Sequence, residues 1–312
     1  MNTDILNNIK TEIQFIKREM VNRVALVLVG LALGAPSLQA QGSGRQMTVP
    51  VSKEHLLDMG SYVNPLPATD ELWIERLTEL EVRDAIRAGK TSVLIPTGSV
   101  ENNGPWLTMN KHNDVLRVCA DSVARRMGNM LVAPIIPFEA GDPNRNTAGG
   151  ISLSPAIYNG VLKDVAISLR AQGFKNIFFV GDSDGNHNPD IKAVGELMAE
   201  WQGSGVRAFY VPEFHGYDEI LLHQNEVMGV KEIRYKDRFH DNYYISTMIM
   251  VGDPKAVNYS ERVRIGKATI NGFDLAPLEK SLYHGRQLIE FRTDATVAGI
   301  RKLIGTPTSE QK

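Results

Sequence analysis

The chain has 312 residues, of which 43% are hydrophobic and 22% charged, so it is long enough to bury a core and has the composition of a globular protein. Its formal net charge of −2, from 34 basic and 36 acidic residues, argues against nucleic acid as a partner. The single cysteine, Cys119, excludes an internal disulfide and a cysteine-based metal cluster.

A signal peptide is the first element that the sequence predicts, over residues 1–40. Residues 24–35 form an apolar run that is too short to span a bilayer comfortably, and Arg23 precedes it. A small-residue cleavage site ends at Ala40, and Met20 is a candidate for the true start. We therefore expect an exported protein, periplasmic or secreted, with no stable membrane span after cleavage. An uncleaved membrane anchor is the alternative.

After an irregular lead-in over residues 41–70, helical and strand patterns alternate. The spacing of apolar residues predicts helices at residues 71–88, 114–127, 155–171 and 190–201. Short apolar runs with β-branched residues predict strands at residues 92–96, 130–136, 176–180, 206–211 and 246–251. The alternation predicts a single α/β domain over residues 71–305, a three-layer α/β/α sandwich with a mainly parallel sheet. In such sheets ligands bind at the carboxyl ends of the strands.

The loop over residues 97–114 follows the first predicted strand and contains Glu101 and His112. A carboxylate and an imidazole on one glycine-containing loop can converge on a divalent cation. The structural alternative is that Glu101 is a capping or surface acid and that His112 is an ordinary polar loop residue.

A second polar loop, residues 181–189, follows the most hydrophobic predicted strand. Its side chains include two acids, a hydroxyl, an amide and an imidazole: Asp182, Asp184, Ser183, Asn186 and His187. This cluster predicts a site, and the alternative is a hydrated turn in which an aspartate caps the next helix. The other histidines are interpreted as packed or exposed residues: His55, His215, His223, His240 and His284.

Residues 95–101 read I-P-T-G-S-V-E, and N-G-P-W-L follows within the same loop. This run resembles the signature of the creatininase (creatinine amidohydrolase) family. Residues 131–134, 148–153 and 172–177 match further family motifs in the same order. The resemblance covers about residues 71–251 and implies the creatininase fold.

The resemblance also implies a metal site, which this chain alters. In the family two divalent metals are held by a glutamate, two histidines, a bridging aspartate and a further glutamate. Glu101 keeps the first glutamate, whereas Asn103 replaces the first histidine and Ser183 stands at the second. The bridging aspartate falls on His112 by strict spacing, or on Asp114 if two residues are inserted. The pattern resembles an exported subgroup of the family with altered metal ligands.

The leading functional prediction is a metal-assisted amidohydrolase that cleaves a C–N bond of a small or cyclic amide. One divalent ion, zinc or alternatively manganese, would be held by Glu101, His112 and Asp182. The remaining roles are a general base from Asp182 or Asp184, oxyanion donors from Asn103, Ser183 and Asn186, and further substrate contacts from Trp106, Phe138 and His187.

Two other functions stay open. One is a catalytically silent member of the family that binds a small molecule. The other is a metal-independent lactonase or isomerase in which Asp184 and His187 form an acid–base pair. In each case the partner is a small molecule, and the resemblance implies a homo-oligomer.

Overall fold

A four-stranded parallel sheet with the strand order β2-β1-β5-β6 forms the centre of the fold. The computed structural model describes residues 60–232 and 240–305. Within them the strands are β1 (Ser92–Thr97), β2 (Met130–Val132), β3 (Glu139–Ala140), β4 (Ser152–Leu153), β5 (Asn176–Gly181), β6 (Arg207–Tyr210), β7 (Thr269–Ile270) and β8 (Phe273–Asp274). The short pairs β3–β4 and β7–β8 form two small separate sheets.

The helices connect and cover these strands. They are α1 (Glu79–Arg87), α2 (Lys111–Met127), α3 (Pro155–Gln172), α4 (Asp184–Glu200), α5 (Tyr217–Glu226), α6 (Tyr243–Gly252), α7 (Tyr259–Arg264) and α8 (Leu278–Gly305). Short 3-10 turns lie at Ile74–Arg76, Pro212–Phe214 and Pro254–Val257. No helix among the described residues is both long enough and apolar enough to cross a membrane.

Every residue of β1 is buried, because this strand pairs with β2 on one side and β5 on the other and is covered on both faces. Val93 pairs with Leu131 of β2 and with Ile177 of β5. Continuous apolar runs of this kind are what parallel strands covered on both faces require.

The order of the strands determines which face each helix covers. The chain moves one way across the sheet from β1 to β2 through α2, and the opposite way from β2 to β5 and on to β6 through α3 and α4. Since such crossovers are right-handed, α2 lies on one face and α3 and α4 lie on the other. Helices α6 and α8 pack against α2 and complete its layer. The result is the predicted α/β sandwich.

Helices α6 and α8 approach each other very closely at Gly285. A Cβ atom at this position would lie 2.1 Å from the backbone oxygen of Thr247, which no real side chain permits. Only glycine therefore allows α8 to settle this deeply into the α2–α6 layer, where it buries Arg292 and Thr296.

The predicted strands at residues 92–96, 130–136, 176–180 and 206–211 are confirmed, although the second ends at Val132. The prediction of a strand at residues 246–251 is wrong, because these residues belong to helix α6. This helix is buried on every side, from Tyr243 to Met250, so its sequence lacks the alternation of apolar and polar residues that indicates an amphipathic helix. Helix α4 also begins earlier than predicted, at Asp184, and contains Pro189 in its interior. The predicted signal peptide lies outside the described residues.

Candidate functional site

The strand order creates a crevice at the carboxyl ends of β1 and β5. The chain leaves β1 toward one edge of the sheet and leaves β5 toward the other, which is where open α/β sheets bind ligands. Glu101 lies on the loop after β1, and Asp182 directly follows β5, where its backbone N–H donates to the carbonyl of Thr97 at 3.0 Å. The two predicted loops therefore meet here.

His112 joins the two carboxylates into one hydrogen-bonded array. Its Nδ1 lies 2.7 Å from Oδ2 of Asp182, and its Nε2 lies 2.7 Å from Oε1 of Glu101. We call Glu101, His112 and Asp182 the central array. His112 is 6% exposed and lies in the first turn of α2, so it is not the polar loop residue of the structural alternative.

Each end of the central array also carries a cation. Lys111 places its Nζ 2.9 Å from Oε1 of Glu101, and Arg292 donates from Nη2 to Oδ1 of Asp182 at 2.6 Å. The Lys111 side chain is 6% exposed and that of Arg292 is fully buried. Tyr217 adds a third donor to Asp182, from its hydroxyl to Oδ2 at 2.7 Å.

A glycine fixes the start of α2 against the loop after β1. A Cβ atom on Gly98 would lie 1.9 Å from Oδ1 of Asn113, so only glycine permits the approach. Asn113 then donates from Nδ2 to the carbonyl of Ser99 at 3.1 Å. This contact sets the position of the preceding residues, Lys111 and His112, which point at the crevice from the first turn of the helix.

The contacts shift the pKa of all three members of the central array. Burial disfavours the ionised forms of Glu101 and Asp182, but hydrogen bonds from His112 and the charges of nearby cations outweigh it and hold both pKa values well below the usual range. Burial and Lys111 oppose protonation of His112, but its hydrogen bonds to the two carboxylates raise its pKa. The array therefore favours two carboxylates on either side of an imidazolium.

The thiol of Cys119 lies buried on α2 near the same residues. Burial raises the pKa of Cys119 to about 11, so the thiol stays protonated near neutral pH. A protonated thiol is a poor nucleophile. Cys119 is therefore a packing residue of the site and does not take part in its chemistry.

A cavity of about 140 Å³ opens beside Glu101. Its wall includes Asn102, Glu139, Arg145 and His240. His240 is half exposed, and its Nδ1 lies 3.3 Å from Oε1 of Glu101. The cavity is smaller than the 300–1,000 Å³ of pockets for drug-sized ligands, so it fits a small polar group.

A second cavity, of about 540 Å³, lies at the Asp182 end of the array. Tyr217 and Arg292 contribute to its wall, together with Asp184 and His215. Nε2 of His215 lies 3.0 Å from Oδ1 of Asp184 there, and because burial lowers the pKa of His215 this contact is a hydrogen bond from a neutral imidazole near neutral pH. The predicted acid–base pair of Asp184 with His187 has no support in this arrangement, since His187 contacts the hydroxyl of Tyr210 at 2.8 Å instead.

The predicted oxyanion donors engage groups of the protein itself. Asn103 donates to the carbonyls of Glu101 and Thr108, both at 3.0 Å, and Asn186 donates to the carbonyl of Gly98 at 2.9 Å. Ser183 donates to Glu139 at 2.5 Å. These contacts hold the loops together, and the roles of these residues toward a substrate stay predictions.

The predicted aromatic wall lies apart from the cavity beside Glu101. The ring of Trp106 packs against the guanidinium of Arg262 at 5.4 Å, and its carbonyl accepts a hydrogen bond from Asn258. Phe138 is half buried, and neither ring is part of the wall of the smaller cavity. Their substrate contacts also stay predictions.

Sequence reasoning missed four members of the site: Lys111, Tyr217, His240 and Arg292. Lys111 directly precedes His112 but was given no role, His240 was interpreted as packed or exposed, and Tyr217 and Arg292 lie in segments for which no motif was identified. A weak signal existed in α8, where Arg292 stands among residues with a buried apolar period, including Leu288 and Ile289. A buried arginine needs an anionic partner, which the pattern alone does not identify.

The residues predicted to hold a divalent ion do not fit one as they are arranged. Both ring nitrogens of His112 and both oxygens of Asp182 are hydrogen-bonded, and three donors meet Oε1 of Glu101. Over residues 60–232 and 240–305, no group of three or more histidine, cysteine, aspartate or glutamate side chains has the geometry to hold a metal ion.

Comparison with known proteins identifies related chains. The family model described as creatininase, creatinine amidohydrolase, matches residues 75–269. The mycofactocin precursor peptide peptidase of Mycolicibacterium smegmatis is 25% identical over 202 residues, which is 58% of this chain and 81% of that protein.

Solved structures show the same fold. A creatinine amidohydrolase (creatininase) crystal structure superposes with a TM-score of 0.55 at 18% identity, over 77% of this chain and all of that one. Two further creatininase structures with TM-scores of 0.54, described as a Zn–Zn type and as a Mn form, are 18% and 19% identical. The first covers 76% of this chain and the second 75%, and each spans 98% of the solved chain. These likenesses confirm the predicted fold, and the metals are those of the solved proteins.

Proposed function

Because the chain belongs to the creatininase family, we propose that it is an amidohydrolase that cleaves a C–N bond of a small or cyclic amide at the central array. One observation carries the proposal. Glu101 is the one family ligand that the sequence keeps, and it lines a small polar cavity in the crevice at the carboxyl ends of β1 and β5. Hydrogen bonds through His112 link it to Asp182.

The proposal takes its reaction class from the family and the peptidase relatives, and its substrate size from the cavity. A volume of about 140 Å³ accommodates an amide group with a few further atoms. Arg145 and His240 on the wall offer hydrogen-bond donors to a carbonyl oxygen or to a carboxylate of the substrate. A short peptide could enter by one end only, whereas a small cyclic amide would fit entirely.

The mechanism uses the chain's own residues. Lys111, His112 and His240 all contact Oε1 of Glu101, so the second oxygen, Oε2, is the one to orient a water molecule in the cavity. Its neighbours keep Glu101 ionised, so as the water oxygen bonds to the carbonyl carbon the carboxylate accepts the water proton only transiently, before that proton moves to the departing nitrogen. The cations behind the carboxylate stabilise the negative charge that moves onto the former carbonyl oxygen. The C–N bond then breaks as the carbonyl re-forms, and the proton taken up by Glu101 passes to the departing nitrogen by way of His240, whose Nδ1 lies 3.3 Å from Oε1 of Glu101.

Asp182 serves as a positioning residue in this scheme. The sequence suggested Asp182 or Asp184 as the general base, but the Asp182 side chain has no exposed surface and Asp184 is paired with His215. Asp182 instead fixes the orientation of His112, held in turn by Arg292 and Tyr217. Proton acceptance therefore falls to Glu101.

The experiment is a hydrolysis assay on a panel of five- and six-membered cyclic amides and di- and tripeptides. We expect turnover of at least one cyclic amide and a loss of about 100-fold or more in kcat/KM for Glu101→Gln, because general-base catalysis contributes about 10²–10⁴-fold. Glu226→Gln, which changes an exposed glutamate, is the control, and its kcat/KM should stay within about twofold of wild type.

A second candidate function is binding without turnover. It is favoured by the charges of the central array, which are already satisfied by one another and by Lys111 and Arg292. Calorimetric titration of the same panel separates the two functions. Binding of an amide that is never hydrolysed would reject the hydrolase and leave a small-molecule-binding protein.

A further inference from the structure

The charges of the central array are balanced within the protein. Its two carboxylates, Glu101 and Asp182, each lie within 3 Å of a basic side chain, Lys111 at 2.9 Å and Arg292 at 2.6 Å. These four charges sum to zero, from two negative and two positive groups. With His112 neutral the site is uncharged, and with His112 protonated it carries one positive charge. In neither state do these five groups leave net negative charge to attract a divalent ion, and Glu139 on the cavity wall accepts a hydrogen bond from Ser183.

The candidate ligand atoms are occupied as well. A metal at Glu101 would have to displace Lys111 and His112 from Oε1, and a metal at Asp182 would have to displace Arg292 or Tyr217. An ion between them would also need a free nitrogen of His112, and both are hydrogen-bonded. A lysine ammonium group has no acceptor, so it can only repel a cation at this position.

The two cations reach the site from separate elements. Lys111 lies at the first position of α2, where the helix dipole disfavours a positive charge. Arg292 comes from the middle of α8, 110 residues further along the chain than Asp182. Both side chains are almost fully buried, which is rare for lysine and arginine unless they are paired. One cation stands at each carboxylate, and burial protects both from solvent screening.

We propose that Lys111 and Arg292 supply the positive charge that divalent ions supply in the Zn–Zn and Mn creatininases, so that this site functions without a divalent ion. The inference deepens the proposed hydrolase function and rests on it for the reaction, although the absence of bound metal can be measured independently. Lys111 lies beside Glu101, the carboxylate that faces the cavity, and provides the positive charge that polarises the substrate carbonyl. Arg292, at the other end of the array, holds Asp182 ionised.

The test measures metal directly, on full-length protein purified without chelator. We expect wild type to contain less than about 0.1 equivalent of zinc or manganese and to show no heat of binding when titrated with either ion at micromolar concentration. Lys111→Met keeps the length of the side chain, deletes the charge and removes one of the three donors at Oε1 of Glu101. It should show a heat of binding with zinc at micromolar concentration, where wild type shows none. Lys192→Met, on the exposed face of α4, is the control and should behave as wild type.

Each outcome decides the inference. Close to one bound ion per wild-type chain overturns it, as does loss of wild-type activity on dialysis against chelator with recovery on adding metal. Metal-free wild type with a Lys111→Met variant that gains no affinity also overturns the role of Lys111. If Lys111→Met fails to fold, the wild-type metal content and Lys111→Arg, which should stay metal-free, still test the inference. A metal-free wild type without amidase activity rejects the proposed function alone.

Discussion

Two buried aspartates at the same edge of the sheet differ in what neutralises them. Asp182 follows β5 and accepts hydrogen bonds from Arg292, His112 and Tyr217. Asp190, on α4, is equally inaccessible to solvent and accepts from the hydroxyl of Thr97 at 2.6 Å and that of Tyr158 at 3.1 Å. The partners of Asp182 include a permanent cation, whereas those of Asp190 are both hydroxyls.

The two carboxyl groups consequently have opposite pKa shifts. Burial disfavours the ionised form of both, and for Asp182 the charge of Arg292 and the hydrogen bond from His112 outweigh it and lower the pKa. For Asp190 burial dominates over the two hydroxyl donors and raises the pKa to about 7. Burial alone therefore does not determine the charge of an acid in this crevice. The charge depends on whether the hydrogen-bond partners of the carboxyl group include a cation.

The largest expected effect comes from removing Arg292, the cation that pairs with Asp182. Arg292→Met keeps most of the apolar volume but leaves a buried carboxylate beside one imidazole and one phenol. Breaking a buried pair by deleting one partner costs about 3–5 kcal/mol, and we expect a loss of that size in the free energy of unfolding at pH 7.5. Urea unfolding followed by circular dichroism measures it.

Two variants check the cause. Arg286→Met changes an exposed arginine of the same helix and should alter the free energy of unfolding by less than about 0.5 kcal/mol. The double variant Arg292→Met with Asp182→Asn removes both charges and should lose less than the sum of the single variants. An additive double variant would mean that the guanidinium stabilises α8 by packing alone.

Asp190 gives the second prediction, which concerns pH. Its carboxyl group has its ordinary pKa of 3.8 in the unfolded chain and a pKa of about 7 when folded, so the folded state holds the proton more tightly between these values. The contribution of Asp190 to the free energy of unfolding should therefore fall as pH rises from about 4 to 7 and level off above. Asp182 does not contribute in this window, because a lowered pKa changes stability only below about pH 4.

Asp190→Asn should remove this contribution. At pH 4 the variant and wild type should be similar, and at pH 8 the variant should be more stable by on the order of 4 kcal/mol, since a shift of about three pKa units is worth about 1.4 kcal/mol per unit. Thermal unfolding at half-unit pH steps provides the measurement. Parallel wild-type and variant curves across pH 4–8 would show that Asp190 is not the titrating group.

The sequence predicts the sheet well because its strands carry their own signal. Each of the four central strands is a short apolar run between polar loops, and residues 95–101 also match a family motif. Helix α6 was predicted as a strand since it is buried on all sides, which removes the amphipathic period that separates a helix from a strand. The polar contacts at its start come from Glu232, which lies eleven residues before Tyr243 and accepts from the backbone N–H groups of Tyr243 and Tyr244.

The site is half predictable for a related reason. Glu101, His112 and Asp182 follow strands or begin a helix, so parallel topology brings them to one edge. Their pairing with Lys111 and Arg292 depends on the three-dimensional approach of α2 and α8, which no spacing encodes. Without these cations the same three side chains predict a metal site, and with them the charges are satisfied.

The smallest expected effect comes from one of the hydroxyls beside Asp190. Thr97→Val is nearly isosteric and deletes the donor that lies 2.6 Å from Oδ2. At pH values below the pKa of Asp190, the free energy of unfolding should fall by about 1 kcal/mol, the net contribution of one hydrogen bond. At pH values above that pKa the decrease should be larger, because the hydroxyl favours the ionised form of Asp190. Thr97→Val should therefore move the midpoint of the pH dependence above that of wild type, and combining it with Asp190→Asn should cancel that movement. A midpoint unchanged by Thr97→Val would mean that the solvation of Asp190 comes from groups other than this hydroxyl.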